Sequence, residues 1–194
     1  MGLNEDVGRR LRTLRRQRDL SLSELSRRSH VGKGTLSELE GGTRNPTLET
    51  LYALTTALGL PLSAVLSDPL PVDGPAPEGV SGSAVTAVLL ERYEDEAAVT
   101  DVFRISIRAG TVQESRGHVP GTQESLMVLT GTAVVGPPDD TSTAVPGVSA
   151  HWRADAPHVY SAPEGDVQGI LFVRYPSVGE PAGGAGRRTA RDDG

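Results

Sequence analysis

Apolar residues recur at helical spacing through the first third of the chain and alternate with polar ones through much of the rest. Val7, Leu11 and Leu14 lie at i, i+4 and i+7 among six arginines between Arg9 and Arg18, which predicts a basic helix with one buried stripe. Ser21-Leu-Ser-Glu24 has capping-box spacing and opens a second helix that buries Leu22 and Leu25. After a break near Ser29 and His30, Val31, Leu36 and Leu39 mark a third helix, which Gly41 and Gly42 end. Asn45-Pro46-Thr47 starts a fourth, with Leu48, Leu51, Leu54 and Leu58 facing inward, and Leu62 to Leu66 predicts a short fifth.

From residue 84 the period changes to two. Phe103, Ile105 and Ile107 alternate with Arg104, Ser106 and Arg108, as in a half-buried strand. Val85 to Leu90, Leu126 to Leu129, Ala133 to Val135 and Gly169 to Tyr175 are further short β segments, separated by Gly- and Pro-bearing turns. Such a series fits an antiparallel sandwich or barrel better than a parallel α/β sheet. Between the two regimes, 68–82 is rich in Pro and Gly and reads as a connector, and 177–194 has too few large apolar residues to offset the entropy of ordering, so it reads as a disordered tail. The expected organisation is a five-helix bundle over 3–67, the connector, an antiparallel β domain over 83–176, and the tail.

Charge sharpens this division. The 194 residues carry a formal net charge of −6, which argues against a nucleic-acid partner until it is divided: residues 1–67 hold ten Lys and Arg against seven Asp and Glu, and residues 68–194 hold nine against eighteen. A basic helical part precedes an acidic β part. With no Cys, disulfides, thiolate metal sites and thiol nucleophiles are excluded, and any metal must be held by His and carboxylates. No segment has the pattern of a signal peptide or a membrane span, so a cytoplasmic protein without membrane contact is expected.

The stretch Leu22-Ser-Glu-Leu-Ser-Arg-Arg-Ser-His-Val-Gly-Lys-Gly-Thr-Leu-Ser-Glu-Leu-Glu-Gly-Gly42, followed by Asn45-Pro-Thr-Leu-Glu-Thr-Leu51, resembles the helix-turn-helix domain of phage-repressor-type regulators, the XRE family. The resemblance implies a recognition helix from about Gly32 to Glu40 in the DNA major groove. On it, Lys33 would donate to guanine O6 and N7, Glu38 would accept from cytosine N4, and Thr35 and Ser37 would meet a base, a methyl or a phosphate. Gly34 presents no side chain to the groove. Ser21, Ser23, Arg44 and Asn45 are placed for backbone phosphates, and Arg15 and Glu40 are expected to pair and tie the first helix to the third.

A second resemblance lies in the β region. Gly110, His118, Pro120-Gly121, Glu124 and Gly131 are similar in order and spacing to the first cupin motif, and Ala154-Asp-Ala-Pro-His158 to the core of the second. The resemblance implies a jelly-roll barrel. Where the first motif normally has a second His, this chain has Pro120, so only His118, Glu124 and His158 match the metal ligands of metal-binding cupins. Two His and one carboxylate suffice for a divalent metal such as Fe, Zn or Ni. The same three residues would equally line an effector pocket, hydrogen-bonding an organic ligand or one another. His30 and His151 fall outside both motifs and read as ordinary surface or packing residues.

Together the two resemblances imply a one-component transcriptional regulator without enzymatic activity. A homodimer would bind a pseudo-palindromic double-stranded operator, and a small-molecule effector in the barrel would alter that binding. The alternative is a mononuclear-iron cupin oxygenase, similar to the epoxidase of hydroxypropylphosphonate, whose helical domain does not bind DNA. In a third reading the barrel serves dimerisation alone.

Overall fold

The computed structural model describes residues 2–66 and 79–177. The tail after Ser177 and most of the expected connector lie outside these residues. Four α-helices come first: α1 (Leu3–Gln17), α2 (Leu22–Ser29), α3 (Lys33–Glu40) and α4 (Leu48–Leu58). Their predicted inward residues form one core, in which Val7, Leu11, Leu25, Leu36, Leu51 and Leu54 have no solvent exposure. The Ser21 side chain accepts from the Glu24 N–H at 3.1 Å, and Thr47 caps α4 by accepting from the Thr50 N–H. Only this half of the predicted capping box forms, because the Glu24 carboxylate is held by Arg27 and Arg28 at 2.8 and 2.7 Å.

Helix ends follow the backbone freedom of their residues. Gly42 after α3 and Gly59 after α4 have positive φ, whereas α2 ends on His30, a non-glycine residue at φ 57°. Two hydrogen bonds anchor this turn: Ser26 Oγ donates to the Val31 carbonyl at 2.6 Å, and Ser29 Oγ to the Leu25 carbonyl at 2.7 Å. In α1, Gly8 allows close packing on α3, since a Cβ there would lie 2.2 Å from the Leu39 carbonyl oxygen.

The expected fifth helix is a single 3-10 turn, Leu62–Ala64. Its first N–H groups are taken by the β domain: Leu62 N–H donates to the Tyr175 hydroxyl at 3.4 Å and Ser63 N–H to Asp101 Oδ2 at 3.0 Å.

Ten strands follow: β1 (Val80–Ser81), β2 (Val85–Glu94), β3 (Ala98–Ile107), β4 (Val112–Ser115), β5 (Gln123–Thr130), β6 (Ala133–Gly136), β7 (Ser142–Ala144), β8 (Ser149–Arg153), β9 (His158–Ser161) and β10 (Val167–Pro176). All pairings are antiparallel, in a six-stranded sheet ordered β1-β2-β3-β10-β5-β8 and a four-stranded sheet ordered β4-β9-β6-β7. β1 falls inside the segment expected to be connector. Phe103, Ile105 and Ile107 are fully buried, as their alternation predicts, and pack with Leu126, Val128 and Val173. Among the described residues no ladder joins the two sheets, so the β domain is an antiparallel two-sheet arrangement in which closure of the expected jelly-roll barrel is not seen. Where β4 approaches the start of β2, a side chain replaces the ladder: Gln113 Oε1 accepts from the Ala84 and Val85 N–H groups at 3.1 and 3.0 Å.

The helical and β domains meet through α4 and the 3-10 turn. Glu49 Oε1 accepts from the Ser83 N–H at 2.7 Å, and the Tyr52 ring stacks on that of His118, with centroids 4.1 Å apart. Asp101, with no solvent exposure, is the anionic member of this seam. Burial pushes its carboxyl above the ordinary aspartate value, against the opposing effect of its hydrogen bonds with Ser63.

Two stability predictions follow from this packing. Gly8→Ala should lower unfolding free energy in urea by roughly 1–3 kcal/mol, as forced overpacking does, whereas Gly34→Ala, whose Cβ meets nothing within 4 Å, should raise it by about 1 kcal/mol. Asp101 binds its proton more tightly folded than unfolded, so it favours folding at low pH and that contribution is lost as pH rises through its folded pKa. Asp101→Asn should therefore have the higher thermal midpoint at pH 7, and the advantage should shrink as the pH is lowered toward the ordinary aspartate range.

Candidate functional site

The helix-turn-helix surface is built by burying one side of α3. Leu36 and Leu39 are 0% and 2% exposed, which leaves Lys33, Gly34, Ser37 and Glu38 on the solvent side and Thr35 partly covered. Ser21 and Ser23 are exposed at the start of α2, and Arg44 and Asn45 in the loop after α3. Lys33, the first residue of α3, makes no hydrogen bond or ion pair among the described residues, so its ammonium is available to a partner.

Other predicted contacts are already engaged. Glu38 Oε2 pairs with Arg44 at 3.0 Å, both side chains being half exposed, and Asn45 accepts from the Asn4 side chain. Behind this surface, Arg15 donates to both Glu40 oxygens at 2.6 and 2.7 Å and to the Leu20 carbonyl at 2.7 Å. This bidentate pair is nearly sealed from water and joins α1 to α3 as expected.

A second constellation lies between the two sheets. His118 is in the loop before β5, Glu124 is on β5, and His158 begins β9, so the three reach one point from both sheets. Glu124 occupies an inward position of β5, in phase with buried Leu126 and Val128. The three side chains are 4%, 2% and 1% exposed, and one ligand atom from each lies within 4.8 Å of the others.

The hydrogen bonds define their protonation. His118 Nε2–H donates to Glu124 Oε1 at 3.0 Å, and the Tyr160 hydroxyl donates to Glu124 Oε2. Burial pushes the Glu124 carboxyl up, but the His118 hydrogen bond, the electrostatic influence of the two neighbouring imidazoles and the Tyr160 hydrogen bond together carry it below the usual glutamate range. His158 is shifted down, chiefly by burial. Its Nδ1–H donates to the Ala156 carbonyl at 2.9 Å, which leaves the Nε2 lone pair facing Glu124 Oε2 at 3.4 Å. Nε2 has no hydrogen-bond partner. A lone pair opposite a carboxylate oxygen, with no proton between them, is a contact that a cation would relieve, and the donor set is one that divalent metals accept.

Sequence reasoning missed the aromatic walls of this cluster. Tyr160 shares a face of β9 with His158, and burial, then the Glu124 charge, raises its hydroxyl pKa well above the ordinary value. Trp152 pairs in register with Glu124 from β8. The alternation His158-x-Tyr160 was the available signal. Tyr52 had none, because it belongs to the helical domain and reaches His118 only through the tertiary fold. His30 and His151 are exposed, as expected.

These features are those of a helix-turn-helix DNA-binding domain followed by a β domain with a cupin-like histidine–carboxylate centre. The HTH_3 helix-turn-helix family model matches residues 11–65, and the chain belongs to this XRE-type family of transcriptional regulators. It is 43% identical over 60 residues to the uncharacterized HTH-type transcriptional regulator y4dJ of Sinorhizobium fredii, covering 31% of this chain and 78% of that one. The HTH-type transcriptional regulator SutR of Escherichia coli is 28% identical over 169 residues, covering 86% of this chain and 93% of SutR. The crystal structure of an HTH_3 family transcriptional regulator from Vibrio cholerae has a similar fold, with a TM-score of 0.74, 24% identity, and coverage of 90% of this chain and 97% of that one. No described helix is long and apolar enough to cross a membrane.

Proposed function

We infer that the chain regulates transcription as a homodimer on a pseudo-palindromic operator, with α3 in the major groove and the β domain sensing a small ligand. The observation that carries this reading is the surface of α3: an unpaired Lys33 at its N-terminus beside exposed Gly34, Ser37 and Glu38, held rigidly from behind by the sealed Arg15–Glu40 pair. Two such helices about one helical turn (~34 Å) apart would meet successive major grooves.

Within this interface Lys33 reads a guanine edge, Thr35 and Ser37 contact a base or phosphate, and Ser21 and Ser23 meet backbone phosphates. Glu38 holds Arg44 until a phosphate competes for the guanidinium. That exchange frees Glu38 for a cytosine amino group and penalises sites that lack one. Asn45, engaged with Asn4, supports the phosphate contact of this loop.

In the β domain His118, Glu124 and His158 form the effector centre and hold a divalent cation. Bound there, such an ion would supply Lewis acidity at the buried centre. Tyr160 orients Glu124 and the Ala156 carbonyl fixes the His158 tautomer, so Glu124 and the His158 Nε2 are presented directly, whereas His118 would give up its Nε2 proton to ligate through that nitrogen. The relatives are named for regulation, and in this reading the cluster binds and transmits rather than turning over a substrate.

Lys33→Ala should weaken binding to the preferred operator more than tenfold while affecting random DNA far less, measured by fluorescence anisotropy at fixed salt. Equal loss on both would reduce Lys33 to a phosphate contact. For the metal, calorimetric titration of the apo-protein with Zn2+, Ni2+ or Fe2+ should show one site per chain that His158→Ala abolishes. Absence of binding by all three ions, or binding indifferent to His158, would leave the cluster as a closed hydrogen-bonded network.

A further inference from the structure

The histidine–carboxylate centre is sealed, and open space for a small molecule lies across Tyr52 from it. A cleft of about 540 Å³ runs between α2 and α4 of the helical domain and the edge of β4 with the residues after it. This volume is within the range of small-metabolite sites. Val31, Ala53 and Ala57 give it an apolar wall, and Tyr52 also lines it.

The charged side chains on its rim divide into two groups. Arg28 is committed to Glu24 at 2.7 Å, and Glu49 to the Ser83 N–H at 2.7 Å. Glu114 and Arg116 make no hydrogen bond or ion pair among the described residues, although both line the cleft and lie two residues apart on one edge. They offer one acceptor and one donor charge opposite the apolar wall. A lone anion would be repelled by Glu114 and a lone cation by Arg116, whereas a molecule with both charges satisfies the pair.

We propose that this interdomain cleft is a binding site for a small zwitterion with an apolar body, of the free amino acid class. Its carboxylate meets Arg116, its ammonium meets Glu114, and its side chain lies against Val31, Ala53 and Ala57. The site also supplies a route to DNA. The ligand touches α2, whose C-terminal turn at His30 leads directly into α3, and it touches Tyr52, whose ring stacks on His118. Occupancy therefore changes how the helical domain seats on the β domain. This last step rests on the regulatory reading above; binding itself does not.

The test is calorimetric titration of the full chain with each of the twenty common amino acids singly. N-acetyl-L-leucine, which lacks the ammonium, and L-leucinamide, which lacks the carboxylate, are run beside them. At least one apolar amino acid should bind saturably at one site per chain, and Arg116→Ala and Glu114→Gln should each weaken it tenfold or more. Both side chains are exposed, so these variants should keep the wild-type thermal midpoint. The single-charge derivatives should bind at least tenfold more weakly than L-leucine. Binding by no amino acid, equal binding of the derivatives, or affinity unchanged in Arg116→Ala would overturn the proposal. Operator affinity with and without the bound amino acid separates the two readings. Lys33-dependent DNA binding without amino acid binding removes the cleft site alone, and amino acid binding without any operator affinity removes the regulatory reading while the cleft site stands.

Discussion

A charge taken out of water has to be compensated, and the placement of four buried ionisable groups organises this molecule. Glu124, 2% exposed, draws the His118 loop, β5 and β9 to one point, because its two oxygens are satisfied by His118 from that loop and by Tyr160 from β9. Arg15 and Glu40 do the same for the reading head by fixing α1 against α3. Asp101 does so in part at the seam, where the 3-10 turn of the helical domain donates to Oδ2 while Oδ1 has no hydrogen-bond partner among the described residues.

The seam makes the two domains a mechanical unit. Tyr52 belongs to α4, yet its ring covers His118, and the 3-10 turn spends its N–H groups on Asp101 and Tyr175. The helical domain thus completes the surroundings of the β-domain centre, and under the proposed reading a ligand that repositions His118 or fills the adjoining cleft would act on α4 directly. Such coupling requires only that the ligand favour one seating of the domains over another.

The charge division gives this unit its partner. The helical domain is basic and leaves Lys33 exposed, while the β domain is acidic, so phosphate would be favoured at the first and repelled by the second. The Glu38–Arg44 pair refines this, because exposed ions that satisfy each other must be separated before either contacts DNA.

Much of the fold was legible in the sequence because its signals are local. Helical spacing of Val7, Leu11, Leu36, Leu51 and Leu54, caps at Ser21 and Thr47, and alternation through Phe103 to Ile107 are properties of neighbouring residues, and they mark elements whatever surrounds them. Motif spacing likewise singled out His118, Glu124 and His158. The short strands β4, β7, β8 and β9 escaped notice, since three to five residues of mixed polarity are too few to establish a period.

Tertiary structure decided what depends on distant partners. The single turn in place of the fifth helix has its first N–H groups capped by Tyr175 and Asp101, far along the chain, and Gln113 binds two backbone groups of the segment leading into β2. Tyr160 and Tyr52 joined the histidine–carboxylate centre through contacts spanning the two sheets and the two domains. Sequence alone determined the elements, the two-part organisation and the helix-turn-helix family, because these rest on periodicity and order. The meeting of α4 with the β-domain centre belongs to the packed chain alone, because buried polar groups choose partners by proximity in space, which spacing along the chain does not encode.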